Sequence, residues 1–252
     1  MRFRCFAVGL CAAGLLLAGG CAQEQPDGQS TSQATVQDNT WIQTADDGTE
    51  LVRATVRQVE VADLADGQAG QVIQDYYDAV YAEEQAQWET EWAEQAQDEY
   101  DQAKENGRAF RPYTVEEDFA VVRNDEAYLS IQRSSVRYTG GAQEEQIISC
   151  ENFRKADGSL LTLDSVFRPD TDYTSILLVR LQEELAQRIQ NGADYYFADA
   201  AGQLSWALEQ QSFSLTDDHL TFVYPCYLLA PYAAGVQFFE IPLSELSEWL
   251  AL

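Results

Sequence analysis

Several segments of the chain alternate apolar and polar residues, which is the period of a half-buried β-strand. The first runs from Leu51 to Val61, and turn-forming residues separate the later ones. Turns are expected at Asn124-Asp125, at 156–159 and at 217–219, because Asn, Asp and Gly tolerate the backbone conformations of tight turns. The strand patterns after the first cover 119–132, 144–153, 212–225 and 236–241.

Two longer segments instead repeat apolar residues at i, i+3 and i+4, the period of an amphipathic helix. The first covers 71–106, which at 1.5 Å per residue measures about 50 Å and has room for a break or kink. The second covers 173–190 and ends at Asn191-Gly192. The predicted core stripes are Ile73, Tyr77, Val80, Trp88, Trp92, Ala96 and Tyr100 in the first helix, and Ile176, Leu177, Leu181, Leu185 and Ile189 in the second.

Shorter helices are expected at 203–210 and at 244–252, where Ser244 is a candidate N-cap. Strands and helices do not alternate regularly, which favours an antiparallel α+β fold over a parallel one. We therefore predict antiparallel sheets packed by a long acidic N-terminal helix and a second amphipathic helix. The folded part is predicted to divide into an N-terminal α+β module at 41–145 and a C-terminal α+β module at 146–252, packed closely on the first.

The N-terminus has the features of an export signal. Arg2 and Arg4 precede an apolar segment that is rich in small residues and shorter than the roughly 20 residues of a membrane-spanning helix. The motif LLLAGGC resembles a bacterial lipobox, in which cleavage leaves Cys21 to carry diacylglycerol. An ordinary secretory signal with an incidental cysteine is the alternative. Residues 1–20 are thus predicted to be a lipoprotein signal peptide, and the polar residues 21–40 a disordered tether.

The chain is strongly acidic, with 42 Asp and Glu against 15 Lys and Arg and a formal net charge of −27 at pH 7. Eleven of the acids, with a single lysine, lie between Asp75 and Glu105. Such a charge repels nucleic acid and anionic lipid and attracts cationic partners; the alternative is that it only keeps an exported protein soluble. We predict no nucleic-acid partner, a membrane contact through the lipid anchor alone, and a monomer.

The inventory of reactive groups is small. Cys150 and Cys226 lie in apolar, strand-like segments, and an exported chain can pair them in a disulfide; two buried free thiols are the alternative. Together with His219, the single histidine, they do not complete a tetrahedral metal shell, so no metal and no other cofactor is predicted. A histidine in a turn gives no support to a Ser-His-Asp or Cys-His site, and no catalytic residue is assigned.

Three segments in fixed order carry a family resemblance. They are YTGGAQ at 138–143, ADGSLLTLDSVF at 156–167, and 213–246, which contains LAPYAAG and ends in IPLSEL. Together they resemble the paired extracellular modules catalogued as domains of unknown function 4163 and 3298. Those modules form the ectodomain of RsiV-type anti-sigma factors, which sense lysozyme, and the N-terminal region of PdaC-type peptidoglycan deacetylases. The resemblance covers about residues 50–246 and implies an α+β fold, a cell-envelope location and a binding role.

The resemblance also directs attention to two loops. Aromatic faces of Tyr138 and Tyr232 are expected there, suited to a sugar ring or a protein partner, although a purely structural role for the loops is the alternative. Gln143 departs from the family, which usually has His at this position, and His219 replaces a usual Gly. The candidate ligand-binding residues are Tyr138, Gly140, Gly141 and Gln143 in the first loop and Pro231, Tyr232 and Gly235 in the second.

Three classes of function remain open at this point. The favoured one is a membrane-tethered, extracytoplasmic binding protein of the bacterial cell envelope that engages a cationic protein such as lysozyme, or a wall glycan. The second is an accessory envelope lipoprotein without its own ligand. The third is a peptidoglycan-modifying enzyme, because carboxylates are plentiful, although the sequence singles out no acid–base pair among them.

Overall fold

The computed structural model describes residues 36–62, 65 and 67–252 of the chain, with side chains from Asn39 onward. The predicted signal peptide, Cys21 and the first part of the predicted tether lie outside these described residues. A strand begins at Val36, inside the segment 21–40 that was predicted to be a disordered tether. Main-chain pairing with the next strand holds this polar segment, so it needs no apolar periodicity of its own.

The first sheet contains five strands, which follow one another in the sheet as they do in the sequence. All neighbouring pairs are antiparallel except the second and third strands, which run parallel. A parallel pair needs a long crossover connection, and a helix supplies it here. The strands are β1 (Val36–Thr44), β2 (Glu50–Val59), β3 (Tyr113–Asn124), β4 (Tyr128–Tyr138) and β5 (Glu145–Arg154).

The crossover between β2 and β3 is a long helix that changes its winding once. The segment α1 (Gly67–Gln87) passes into a π-helical turn (Trp88–Trp92) and continues as α2 (Ala93–Glu105). Both tryptophans of this wider turn are buried. The break or kink that the length of the helix predicted is therefore a π-turn. Tyr81 is also buried, whereas Val80 of the predicted stripe is only half-buried.

The C-terminal part contains a three-stranded antiparallel sheet of β6 (Phe213–Leu215), β7 (His219–Tyr224) and β8 (Gln237–Pro242). The helix α4 (Tyr173–Gln190) contributes Leu177, Leu181 and Leu185 to the same buried cluster as these strands. Ile189 of the predicted stripe is 49% exposed, because the core ends before the last turn of the helix. The remaining helices are α3 (Leu163–Val166), α5 (Ala200–Gln203), α6 (Ser205–Glu209) and α7 (Leu243–Leu246).

The closing helix differs from its prediction. It spans Leu243–Leu246 rather than 244–252, and Pro242 precedes it, so Ser244 lies inside the helix instead of capping it. The hydrogen bond from the Leu243 amide to the Asp218 carbonyl sets this earlier start.

Each sheet has its own hydrophobic core. One cluster lies between the five-stranded sheet and the long helix, and the other between the three-stranded sheet and α4. β5 belongs to the first sheet, so the strand that opens the predicted C-terminal module at 146 completes the N-terminal sheet. The α+β class, the long acidic helix and the second amphipathic helix are confirmed.

A charged cluster is buried between the first sheet and the long helix. Arg133 on β4 donates to Glu117 on β3 at 2.6 Å, and its guanidinium lies 3.4 Å from Glu84 on α1 and 3.6 Å from Glu151 on β5. Arg137 adds a second guanidinium, 3.3 Å from Glu84. Three carboxylates therefore share two guanidinium groups in a site that is largely closed to solvent.

Burial shifts the acid–base properties of this cluster. It raises the pKa of Glu117 to about 7, because the neighbouring guanidinium offsets only part of the cost of burying the charge. The same cause raises the pKa of Glu151, while the carboxylates around Arg133 keep that guanidinium charged. The side-chain nitrogen Nε of Arg133 and the oxygen Oε2 of Glu151 have no hydrogen-bond partner among the described residues.

Candidate functional site

The two loops that the sequence singles out meet in the structure. The first loop, 139–144, joins β4 to β5, and the second loop, 225–236, joins β7 to β8. The hydroxyl of Tyr232 donates to the Glu144 carbonyl at 2.7 Å, and the hydroxyl of Tyr227 donates to Gln143 Oε1 at 2.8 Å. Gln143 thus holds the second loop against the first.

Glycine shapes the first loop where it approaches α2. Gly140 has φ +92°, and a Cβ at this position would lie 2.8 Å from the carboxylate of Glu99 on α2. Gly141 follows with φ +86°, a second left-handed conformation that only glycine adopts without strain. The loop therefore lies close to the helix with its backbone direction fixed.

Tyr138 does not present its ring to solvent, contrary to the prediction. The side chain is 8% exposed, and the guanidinium carbon of Arg111 lies 3.7 Å from the ring centroid. Arg111 also forms an ion pair with Glu144. Tyr138 therefore supports the loop, and its ring is covered on one face by a cation from the segment that leads into β3.

The second loop is held by its own backbone conformation and by a buried amide. Gly235 has φ 70° and ψ −168°, a region of conformation that is essentially restricted to glycine. The buried side chain of Gln237 donates to the Ala234 carbonyl at 2.7 Å, and Tyr196 donates to the Gln237 side chain at 3.1 Å. Pro231 precedes a single 3₁₀ turn, Tyr232–Ala234, and is itself exposed.

Tyr227 is the most exposed large apolar side chain on these loops. It is 58% exposed and has φ 68°, a left-handed conformation that is uncommon for a bulky residue. Its ring lies 5.6 Å from that of Tyr232, with a tilt of 33° between the two planes. Strained backbone and exposed aromatic surface coincide here, a combination that is common at binding sites.

A groove of about 540 Å³ runs beneath this tyrosine pair. One wall is the first loop and the beginning of β5, and the other is the end of β7 with the second loop. Its apolar lining is contributed by Ile147, Ile148, Trp206, Val223, Pro225 and Val236. Its polar lining is contributed by Gln143, Glu144, Glu145, Gln146, Ser212 and Cys226, with Tyr227 and Tyr232 at the rim.

The groove carries negative charge. Glu144 is neutralised by Arg111, but no cation is paired with Glu145 among the described residues. Burial raises the pKa of the Cys226 thiol, and the Glu145 carboxylate adds to the effect. The thiol is therefore neutral at physiological pH, and the lining carboxylate favours a ligand that brings a positive charge.

Two thiols and one imidazole complete the inventory of reactive groups in the described residues. Cys150 and Cys226 are both free thiols, and burial raises the pKa of Cys150 to about 12. His219, at the start of β7, has its ring nitrogen Nδ1 2.7 Å from Asp218. Within the described ranges, no group of three or more His, Cys, Asp or Glu side chains is placed to hold a metal ion.

Of the fourteen residues that line the groove, sequence reasoning named Gln143 and Tyr232 as ligand-binding residues; its other ligand-binding candidates, Tyr138, Gly140, Gly141, Pro231 and Gly235, are not in the lining. It identified the loops but not Ile147 and Ile148, although two adjacent isoleucines in a strand must face opposite sides of the sheet. It also missed Trp206, which reaches the groove from the short helix α6. No local pattern links this residue to a loop that follows it by some twenty positions, since only the tertiary fold brings them together.

Two family models match successive segments of the chain. Residues 54–144 match the model described as deacetylase PdaC, and residues 164–244 match the model described as protein of unknown function DUF3298. Among curated proteins, no match to the chain is found.

Solved structures show the same fold. A DUF3298 family member from Bacteroides fragilis NCTC 9343 gives a TM-score of 0.64 at 18% identity, over 89% of this chain and 96% of that one. A DUF3298 family protein from Pseudomonas aeruginosa PAO1 gives 0.55 at 16% identity, over 87% of this chain and 95% of that one. In chain order, the matched segments are thus similar first to the PdaC model and then to the DUF3298 model, the pair that the sequence motifs resemble.

Proposed function

We propose that this protein is an extracytoplasmic, lipid-anchored binding protein of the bacterial cell envelope, and that it engages a cationic protein of the lysozyme kind at the groove between its two loops. The observation that carries the proposal is the groove itself. It combines an apolar lining, the exposed ring of Tyr227 beside the half-buried ring of Tyr232, and the Glu145 carboxylate, which has no cation partner among the described residues. A partner of the lysozyme kind is proposed because the family that the motifs resemble senses lysozyme.

Long-range and short-range forces have separate sources in this proposal. The net charge of −27 attracts a cationic protein from a distance, and it accelerates encounter more than it strengthens the final complex. The rings of Tyr227 and Tyr232 supply contact area at the groove, where burial of aromatic surface stabilises a complex. Their hydroxyl groups are already bonded to the first loop, so the rings are ordered before the partner arrives.

Binding to lysozyme by the full chain in detergent tests this separation of roles. Replacing Glu91, Glu94 and Asp98 of the long helix with their amides is expected to slow association and flatten its salt dependence. Replacing Tyr227 or Tyr232 with alanine is expected to accelerate dissociation by about tenfold or more. Tyr195→Ala is the matched control. The Tyr195 side chain is 44% exposed, against 58% for Tyr227, and it packs on a neighbouring tyrosine, but it does not line the groove.

Two outcomes would contradict the proposed site or the proposed partner. If Tyr195→Ala and Tyr227→Ala weakened the complex equally, the groove would not be the contact. If lysozyme failed to bind at low ionic strength, where attraction between opposite charges is least screened, the partner would be wrong. Insoluble peptidoglycan is run in parallel, and retention of the chain on it alone would identify a wall glycan as the ligand instead.

The membrane anchor is a second, independent part of the proposal. In the part of the chain that the structure describes, every helix is too short or too polar to cross a membrane. We propose that diacylglycerol on Cys21 holds the protein at the membrane, as the lipobox-like motif implies. Cys21→Ala is expected to release the chain into the soluble fraction or to stop its maturation, whereas Cys5→Ala is expected to change neither. Unchanged membrane fractionation of Cys21→Ala would refute the anchor.

A further inference from the structure

One edge of the first sheet is open where it borders the groove. β5 is the last strand of the sheet, and only β4 pairs with it along its length. The main-chain hydrogen bonds at the C-terminal end of β5 show which residues direct their backbone N–H and C=O groups away from β4. The Lys155 amide donates to the Ala127 carbonyl on the β4 side, whereas the Asn152 carbonyl accepts from Leu161 and the Arg154 amide donates to Ser159 on the opposite side.

Residues of an antiparallel strand alternate in the side to which both their N–H and C=O groups point. The even-numbered residues of β5 therefore direct these groups away from β4. Near Asn152 the outward edge is occupied, since the Asn152 side chain bonds to the Phe213 carbonyl and the Leu215 amide of β6 at 2.8 Å each. At Gln146 and Ile148, by contrast, the outward backbone groups have no partner among the described residues.

These two residues line the groove. Gln146, Ile147 and Ile148 form its wall on the β5 side, and Val223, Pro225 and Cys226 face them from the end of β7. The groove thus offers a row of unpaired main-chain donors and acceptors beside apolar side chains, the arrangement that accepts an added strand.

We propose that the groove binds an extended, basic segment of the partner, which pairs with β5 through the outward backbone groups of Gln146 and Ile148. This inference rests on the proposed function and adds its mode of recognition. The uncompensated carboxylate of Glu145 at the beginning of β5 selects for a Lys or Arg side chain on the incoming strand. The net charge of −27 opposes a second copy of this chain at this edge, because two strongly acidic chains repel each other.

The test uses a pair of substitutions at one exposed position. Gln146→Pro removes the outward N–H of Gln146 without removing a bond to β4, since proline is tolerated at strand edges where the N–H faces solvent. Gln146→Ala keeps that N–H and removes only the exposed side chain. The probe is a labelled, capped peptide of alternating Lys and Val, added to the full chain in detergent, with alternating Glu and Val as the charge control.

The Lys-Val peptide is expected to bind and the Glu-Val peptide to fail. Gln146→Pro is expected to weaken binding by about tenfold relative to Gln146→Ala, because only the proline variant leaves a main-chain carbonyl of the peptide unpaired. If Gln146→Pro fails to fold, an N-methylated Lys-Val peptide tests the complementary bonds of the same ladder, from the peptide N–H groups to the outward carbonyls of Gln146 and Ile148, and is expected to bind the wild-type chain as poorly.

Equal binding to both variants, or equal binding of the N-methylated peptide, would overturn strand addition. Lysozyme is titrated onto the same samples, so that the two proposals fail separately. Binding of lysozyme without binding of the Lys-Val peptide would overturn the strand-addition proposal and leave the proposed function intact. Absence of both would overturn the two together.

Discussion

Arg133→Leu is expected to destabilise the fold by about 3–5 kcal/mol, because it leaves buried carboxylates without their central cation. Glu117, Glu84 and Glu151 approach this guanidinium from three different elements, so no other side chain can replace it. Among the described carboxylates, Arg137 forms an ion pair with Glu84 alone. The free energy of unfolding, measured by urea titration, gives the effect.

The cost of Arg133→Leu is expected to depend on pH. The pKa of Glu117 in the folded chain is about 7, above its ordinary value of 4.5, so the folded state binds this proton more tightly than the unfolded state. Stability contributed by this group is therefore present below 4.5 and lost as pH rises towards 7. Arg133→Leu raises the carboxyl pKa values further, and its cost is expected to be larger above pH 7 than near pH 5.

Arg53→Leu is the matched control for this experiment. Arg53 also forms an ion pair with a glutamate of the first sheet, Glu50, but both side chains are substantially exposed. Exposed pairs of this kind contribute little to stability. An equal loss of stability in Arg53→Leu and Arg133→Leu would contradict the account of the buried cluster.

Leu181→Ala is expected to cost about 2–5 kcal/mol of stability, because Leu181 is fully buried in the cluster between α4 and the three-stranded sheet. The cost within this range depends on how far neighbours such as Phe222 and Phe239 relax into the space that the leucine vacates. Loss of this packing also loosens β7 and β8, which carry the second loop at their ends. Urea titration of the variant gives the free energy of unfolding.

Val179→Ala lies on the same helix and provides the comparison. Val179 is 51% exposed, so little apolar surface returns to water when it is shortened, and alanine favours the helix more than valine does. Its expected effect on the free energy of unfolding is close to zero. A similar cost for both variants would mean that α4 does not cover the sheet as described.

The sequence predicted the long elements because their periodicity is local. The boundaries of α4 were predicted at 173–190 as they are observed, since the apolar stripe and the Asn191-Gly192 stop lie within a few turns of each other. The parallel pairing of β2 with β3 was not predicted, because the register of Val52 with Tyr113 depends on where the long helix returns the chain. The burial of Tyr81 was not predicted, because the neighbouring Val80 was assigned to the apolar stripe instead.

For the candidate site, too, the features with a local sequence signal were predicted, and those that depend on tertiary contacts were not. Gly140 and Gly141 were expected to allow a positive φ in a tight connection, and both have one; Gly235, expected only to restart the chain before the last strand, has a positive φ as well. The burial of Tyr138 was not foreseen, since Arg111, which covers its ring, lies in a different segment of the chain. The open edge of β5 was also beyond sequence reasoning, because it depends on how β6 diverges from that strand.

The central claim is that a cationic protein contacts the groove between the two loops and not the acidic face of the long helix. Amide hydrogen exchange of the full chain, with and without lysozyme, tests it most directly. The account predicts slower exchange in 143–148 and 225–236 when lysozyme is bound, with unchanged exchange on the solvent face of Gly67–Glu105. Slower exchange on that helix, with no change at the two loops, would contradict it.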